Sequence, residues 1–358
     1  MSRRKTRIVY CGKVKIGGNA PISIQSMTKT DTRDAAATIS QIKEIEKAGC
    51  DIIRVAVPDE IAAKAIVKIK KGIKIPLVAD IHFNYKLALL AIDAGADKIR
   101  INPGNIGEEW KVKEILSAAK SAKIPIRIGL NAGSIEKYAG KKRHETAPVI
   151  AAKLVAKAAE YVRFFEKNNF YQTVISLKAS DTMTTVEAYR KMAKLCDYPF
   201  HLGVTEAGTA ITGTVKSSVG LGIMLNEGLG DTLRVSLAAE PTEEVKVGRE
   251  ILKALGLRKN ESDLVVCPTC GRCEVDIFGM AKKVEDEMLK LKKPLKIAVM
   301  GCVVNGPGEA AEADLGLAGG KKAGLIFKNG KIIKKVPEKH LLREFIKELK
   351  KTGQVKNV

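Results

Sequence analysis

DIIRVAVPDEIAAKAIVKIKKGIKIPLVADIHFNYKLALLAIDAGADKIRIN, residues 51–102, holds three short β-branched runs separated by two stretches of helical length. The runs are DIIRVAV (51–57), PLVADIH (76–82) and DKIRIN (97–102). Between the last two, KLALLAIDAG places apolar residues at helical spacing and ends on Gly, as a helix terminus prefers. Strand alternating with helix implies a parallel sheet joined by crossover helices. The same unit recurs on both sides, with strands predicted at ISIQSM (22–27), PIRIGLN (125–131), TVISLKA (173–179), FHLGVTE (200–206) and TLRVSL (232–237), and helices at ISQIKEIEKAG and TVEAYRKMAKL. Eight units over roughly 20–257 predict a (β/α)8 TIM barrel, which takes about 250 residues. A doubly wound open sheet is the alternative. It more often has fewer strands and a G-x-G-x-x-G after an early one, and no such motif is in place.

Barrel enzymes build their sites at the C-terminal ends of the strands. Those ends carry Arg54; Asp80 and His82; Arg100 and Asn102; Arg127 and Asn131; Lys178; Thr205 and Glu206; Arg234 and Ser236. Residues two or four apart on a strand share a face, so the members of several of these pairs point to one mouth. One Arg there is as easily a structural ion pair as a functional group. Five cations in the same topological position are not explained that way, because Asp80 and Glu206 are too few to neutralise them. An anionic ligand with several charges is expected, and a diphosphate suits the bidentate Arg fork and the Lys point charge. Of the histidines, His82 and His201 fall on strands near the mouth, with His82 the better hydrogen-bonding candidate; His144 sits on a basic loop and His340 on a C-terminal helix, both read as surface.

RKNESD (258–263) reads as a linker, dividing the chain into a barrel domain over 1–257 and a small α+β domain over 258–358. In the second domain strand DLVVC leads to Cys267 and Cys270 in VVCPTCGR, and strand LKIAVMG to Cys302 and Glu309 in GCVVNGPGE. GLIFKNG and KIIKKV form a hairpin through Asn329-Gly330. A Cys-x-x-Cys pair with a third, distant Cys is a metal-binding pattern, and thiolates are the usual ligands of iron–sulfur clusters. Any one of these thiols alone would read as core filling, but tight turns beside them let backbone wrap a ligand. Glu309 is a candidate for the fourth position, and an iron held by an oxygen ligand can exchange it. Cys273 extends the pair to a C-x-x-C-x-x-C run of ferredoxin-like spacing and competes for the same place.

The chain has 358 residues, 45% apolar, as a globular protein of two domains requires. It has no apolar stretch long enough to span a membrane, and its start lacks the apolar core of a signal peptide, so a cytoplasmic protein is expected. Seven cysteines, an odd number with four crowded into 267–302, point to ligands in a reducing compartment and away from a disulfide framework; Cys11, Cys50 and Cys196 read as structural. The net charge of +22 implies anionic partners, though much of it falls on helix faces such as KKVEDEMLKLKKPLK that are simply solvated.

The segments GNAPISIQSMTKTDT, ADIHF, IRINPGN, RIGLNAGS, SLKASD, HLGVTEAGT, RVSL, CPTCGR and GCVVNGPGEA together resemble the 4-hydroxy-3-methylbut-2-enyl diphosphate synthases, iron–sulfur enzymes of the non-mevalonate isoprenoid pathway, over essentially the whole chain. The resemblance implies a [4Fe–4S] cluster on Cys267, Cys270, Cys302 and Glu309, which sets Cys273 aside. It implies the two-domain form, without the extra domain some members carry. It also implies reductive ring opening of 2-C-methyl-D-erythritol 2,4-cyclodiphosphate, with electrons from flavodoxin or ferredoxin and a head-to-tail homodimer in which one subunit's cluster caps the other's barrel. Arg54, Arg100, Arg127, Lys178 and Arg234, with Asn102, Asn131, Thr205 and Ser236, would then clamp the diphosphate. Glu206 would donate the proton, supported by His82 and Asp80, unless it merely neutralises Arg234.

A nucleic-acid-binding protein with a structural zinc is less well supported, since the second Cys/His pair is missing and aromatics make up only 4%. A different phosphate-clamping barrel enzyme with a purely structural metal would gain nothing from a weak carboxylate ligand such as Glu309.

Overall fold

The computed structural model describes residues 2–133, 146–258, 261–302 and 312–355. The chain divides into two compact units, Met1–Leu257 and Arg258–Val358.

The first unit is an eight-stranded, all-parallel barrel. Its strands are β3 (Ser23–Met27), β4 (Ile52–Ala56), β5 (Leu77–Asp80), β6 (Lys98–Ile101), β7 (Ile126–Asn131), β8 (Thr173–Lys178), β9 (His201–Leu202) and β10 (Thr232–Leu233). They are ordered β8-β7-β6-β5-β4-β3-β10-β9, and a parallel bridge between Ile175 and Phe200 links the two ends. The predicted strands are all present, but the last two shrink to two residues each. Past Leu202 comes Gly203 at φ +156°, which takes the backbone out of the strand. Helices α1 (Ala35–Lys47), α2 (Glu60–Gly72), α3 (Tyr85–Asp93), the single turn α4 (Pro103–Ile106), α5 (Glu109–Ser121), α6 (Ala147–Lys167), α7 (Thr182–Ala193), α8 (Ala210–Asn226) and α9 (Pro241–Ala254) join the strands. Asp34, Asp59, Asn84 and Asp181 cap α1, α2, α3 and α7 through side-chain oxygens, so four helices start where a short polar side chain meets orphan amides.

The hydrophobic core lies between sheet and helices. Outward residues such as Ile53, Val55, Leu77, Ile99, Ile128 and Leu177 belong to one buried apolar cluster with the helices. The period of two sends their neighbours inward, and these are Arg54, Asp80, Lys98, Arg100, Arg127 and Lys178. Most barrels fill this space with branched apolar side chains. Here the interior is cationic.

A hairpin absent from the sequence reading, β1 (Val9–Cys11) with β2 (Val14–Ile16), covers the N-terminal end of the barrel by packing Cys11 and Ile16 on Ile52 and Val78. Above it lies Lys98, fully buried, its Nζ without a hydrogen-bond partner among the described residues. Burial pulls its amine from the ordinary 10.5 down to about 8. The unfolded chain therefore binds more protons between those two values, and stability rises with pH across that window. Below it the buried charge costs about 3 kcal/mol. Lys98→Met is expected to raise the melting temperature at pH 7 and to abolish the gain from pH 8 to 10.5; calorimetry at both pH values checks this.

The second unit is a five-stranded mixed sheet ordered β11 (Asp263–Val266), β12 (Lys296–Met300), β13 (Leu315–Ala318), β14 (Ala323–Lys328), β15 (Lys331–Pro337), with helices α10 (Ile277–Met288) and α11 (Glu338–Gly353) on it. The Asn329-Gly330 turn has positive φ at both positions, as a two-residue hairpin demands. Strand β13 was missed because DLGLAGG reads as a turn. Gly316 is needed within it, since a Cβ there would lie 2.2 Å from the Phe327 ring.

Candidate active site

At the C-terminal end of the barrel, Asp80 gathers three cationic or basic groups. Arg100 Nη1 donates to its Oδ1 at 3.2 Å, Arg54 Nε lies 3.7 Å from Oδ2, and His82 Nε2 lies 3.4 Å from the same oxygen. Burial works against ionisation of Asp80, yet Arg54 and Arg100, with His82 and Arg127 behind them, hold its carboxyl well below the usual carboxylate range. Burial pulls the Arg54 guanidinium down to about 10, against the Asp80 carboxylate that holds it up.

Arg127 and Lys178 are nearly or wholly buried and face mostly other cations. Burial and then Arg54 and Arg100 lower Arg127, with only Asp80 of the nearby carboxylates opposing. Its Nε and Nη1 have no hydrogen-bond partner among the described residues. Lys178 is lowered by burial and then by Arg127, Arg234, Arg54 and Arg100, all of the same sign.

Two glycines make room for these side chains. On β7 the inward positions run Arg127, Gly129, Asn131, and Arg100 lies across the gap in the middle: a Cβ on Gly129 would sit 2.4 Å from its Nε. A Cβ on Gly203 would sit 2.4 Å from Lys178 Nζ. Asn131 is opposite Lys178 in the register, and Asn102 caps α4 by accepting from the Gly104 amide at 3.2 Å. Thr205 and Ser236 are half-buried beyond β9 and β10.

Two placements differ from the sequence reading. His201 is not at the mouth but wholly buried in β9, paired in register with Thr232, where burial and Arg127 push it well below its ordinary pKa. His82 lies just past β5 with its side chain 54% exposed, free to meet a ligand. His144 lies outside the described residues, and His340 is half-buried on α11.

The counter-ion of Arg234 is not Glu206. Arg234 donates from Nε and Nη2 to Glu244 at 3.2 and 3.1 Å, a bidentate pair that sequence reasoning missed. The available signal was Glu244 standing in the apolar stripe Val245, Gly248, Ile251, Leu252 of α9, where a carboxylate needs a partner. Met27 also went unremarked; its Sδ accepts from Arg54 Nε at 3.1 Å and Arg234 Nη1 at 3.5 Å. Glu206 is exposed, at φ +52°, and makes no ion pair among the described residues.

Of the five cations at the mouth, Arg54 and Arg100 pair with Asp80 and Arg234 with Glu244, and among the described residues no ion pair reaches Arg127 or Lys178. Same-sign charge in a dry site destabilises the free fold and is relieved by a bound polyanion. Inorganic pyrophosphate is therefore expected to raise the melting temperature. At a hundred times its Kd the gain is about 2.7 kcal/mol, or roughly 5–10 °C, in a thermal-shift series at fixed ionic strength. A flat response contradicts the anion site.

In the second unit Cys267 follows β11 and Cys302 follows β12. These strands are adjacent and parallel, and the Cys267 amide donates to Val299 O at 3.0 Å, so both thiols leave the sheet at the same edge. Thr269, at φ +69°, turns the chain back before the exposed Cys270. Cys273 donates to Val275 O at 3.2 Å, packs like Cys267 against the core of the unit, and lies 2.8 Å from where a Cβ on Gly301 would be. Glu309 lies outside the described residues, and among those described no three His, Cys, Asp or Glu side chains are grouped as a metal site. The donor types still suit a soft-metal cluster: Cys267 and Cys302 leave neighbouring parallel strands at the same end, and thiolates are what such a cluster takes.

The fold and the mouth define a class, the α/β-barrel proteins that gather cationic side chains at the C-terminal ends of their strands. Solved structures support the fold: dihydropteroate synthases from Stenotrophomonas maltophilia and Xanthomonas albilineans superpose with TM-scores of 0.53 and 0.51, over 71% and 70% of this chain and 98% of each of theirs, at 14% and 15% identity. Sequence goes further. The GcpE TIM-barrel domain matches residues 6–249 and the GcpE protein C-terminal domain residues 263–351, and the chain belongs to the GcpE family. Relatives from Caldanaerobacter subterraneus subsp. tengcongensis and Thermodesulfovibrio yellowstonii, enzymes named 4-hydroxy-3-methylbut-2-en-1-yl diphosphate synthase (flavodoxin), are 56% and 54% identical over 98% of this chain and 98% and 100% of their own. Among the described residues no helix is long and apolar enough to cross a membrane.

Proposed function

We propose that this chain carries out the reductive dehydration and ring opening of 2-C-methyl-D-erythritol 2,4-cyclodiphosphate to 4-hydroxy-3-methylbut-2-enyl diphosphate, as a cytoplasmic, head-to-tail homodimer supplied with electrons by flavodoxin or ferredoxin. The observation that carries the reading is identity above one half, over nearly the whole chain, to enzymes of that name. The reaction breaks the ring carbon–oxygen bond to phosphate, expels one hydroxyl as water, and takes up two electrons and one proton, leaving the freed phosphate oxygen ionised.

Each demand has residues suited to it. Arg54, Arg100, Arg127, Lys178 and Arg234, with Asn102, Asn131, Thr205 and Ser236, bind the diphosphate. Opening the ring frees a phosphate oxygen and increases the charge there, so cations already fixed in a buried site stabilise the transition state more than the ground state. Asp80 holds Arg54 and Arg100 in place and, being so acidic, stays ionised at neutral pH. Glu206 donates the proton that converts the departing hydroxyl into water, with His82, fixed by Asp80, hydrogen-bonding the substrate beside it. Cys267, Cys270, Cys302 and Glu309 hold the [4Fe–4S] cluster, which when bound supplies electrons one at a time and a Lewis-acidic iron.

The test is anaerobic turnover of the cyclodiphosphate with chemically reduced flavodoxin, with the product identified by mass and phosphorus NMR. Formation of the linear diphosphate in step with flavodoxin oxidation is expected. Binding of the cyclodiphosphate without any reduction overturns the reading.

A further inference from the structure

We propose that Glu244 is a positioning residue of the diphosphate site, fixing Arg234 from outside the strand ends; this rests on the reading that Arg234 contacts the diphosphate. Glu244 is 2% exposed in the first turns of α9. Its Oε1 accepts from Arg234 Nη2 and from the Leu237 amide, both at 3.1 Å. Its Oε2 accepts from Arg234 Nε at 3.2 Å and from Ser26 Oγ at 2.9 Å. Four donors converge on one buried carboxylate. Two of them belong to the guanidinium, one to β3 and one to the chain just past Ser236.

The packing explains why this helix delivers the carboxylate. Gly248, one turn after Glu244, lets α9 lie close to Ile24 and Leu233: a Cβ there would already be 3.2 Å from Leu233 Cδ1. With Nε and Nη2 committed to Glu244, Arg234 keeps Nη1 near Met27 Sδ, which also contacts Arg54. Held in one rotamer, the guanidinium meets an anion without first losing side-chain entropy. A plain counter-ion predicts the opposite sign, because removing a negative charge beside the site should tighten anion binding.

That difference in sign is the experiment. Pyrophosphate binding to the full-length protein is measured by titration calorimetry for the parent, Glu244→Gln, Arg234→Met and the double variant, with KM and kcat for the cyclodiphosphate alongside. The expected result is about tenfold weaker binding for E244Q, with KM rising more than kcat falls, and no further effect in the R234M background. Should E244Q fold poorly, Ser26→Ala removes one tether of the carboxylate, and about threefold weaker binding is expected. Unchanged or tighter binding in E244Q, or unchanged binding in S26A where that variant stands in, overturns the positioning role while an impaired R234M leaves the clamp standing. An R234M protein that binds as tightly as the parent removes the clamp itself, and the role of Glu244 with it.

Discussion

Glu206→Gln is expected to lower kcat about 10²–10⁴-fold while leaving the melting temperature and the pyrophosphate affinity of the protein unchanged. The size follows from losing a positioned proton donor, and the selectivity from the surroundings of the residue. Glu206 is exposed and makes no ion pair among the described residues, so a neutral isostere removes neither packing nor a salt bridge. Arg234, the cation it would neutralise on the alternative reading, is already paired with Glu244. What remains is an unusual backbone: φ of +52° is costly for a side chain other than Gly, Asn or Asp, and such residues concentrate where function demands them. Rapid-quench assays of the variant, compared with calorimetric binding and melting, separate the three quantities. Full activity in the Gln variant would falsify the proton-donor role, and a large fall in melting temperature would reduce Glu206 to a structural residue.

The second large effect is at the thiols. Cys302→Ser is expected to abolish turnover and to strip most of the iron, whereas Cys273→Ser keeps both. Cys302 leaves β12 at the end where Cys267 leaves β11, and with the proposed ligand set losing one of three thiolates removes the strongest type of ligand. Cys273 instead donates its thiol hydrogen to Val275 O at 3.2 Å. Its replacement costs a weak hydrogen bond and some packing. Iron analysis of the two variants purified side by side without oxygen checks the contrast. Equal loss of iron in both would place Cys273 among the ligands.

Much of this was legible because the barrel repeats one local pattern. In KIRIN the period of two puts Lys98 and Arg100 on one face and two isoleucines on the other, so strand and mouth can be read from the same five letters. What escaped reading depended on distance in the fold. Glu244 reaches Ser26 across 218 positions of sequence, and no local spacing announces that pairing. His201 looked like a mouth residue because FHLGVTE reads as one long strand. The ring is instead wholly buried, beside Arg127 and Lys178. The hairpin Val9–Ile16 and strand Leu315–Ala318 were lost for a related reason: short, glycine-rich pieces owe their structure to what they cover. Asn102, read as a diphosphate ligand, also caps α4, a second role visible only once the backbone is placed.

A chain that joins an anion clamp to a redox-active iron–sulfur group carries both in one sample. Iron, sulfide and zinc are assayed on protein purified without oxygen, with an electron paramagnetic resonance spectrum of the dithionite-reduced sample. A brown protein is expected, with about four irons and four sulfides per chain and a spectrum that changes when the cyclodiphosphate is added. A colourless, zinc-containing protein that stays so after anaerobic reconstitution would contradict it, leaving a phosphate-binding barrel whose second unit carries only a structural metal.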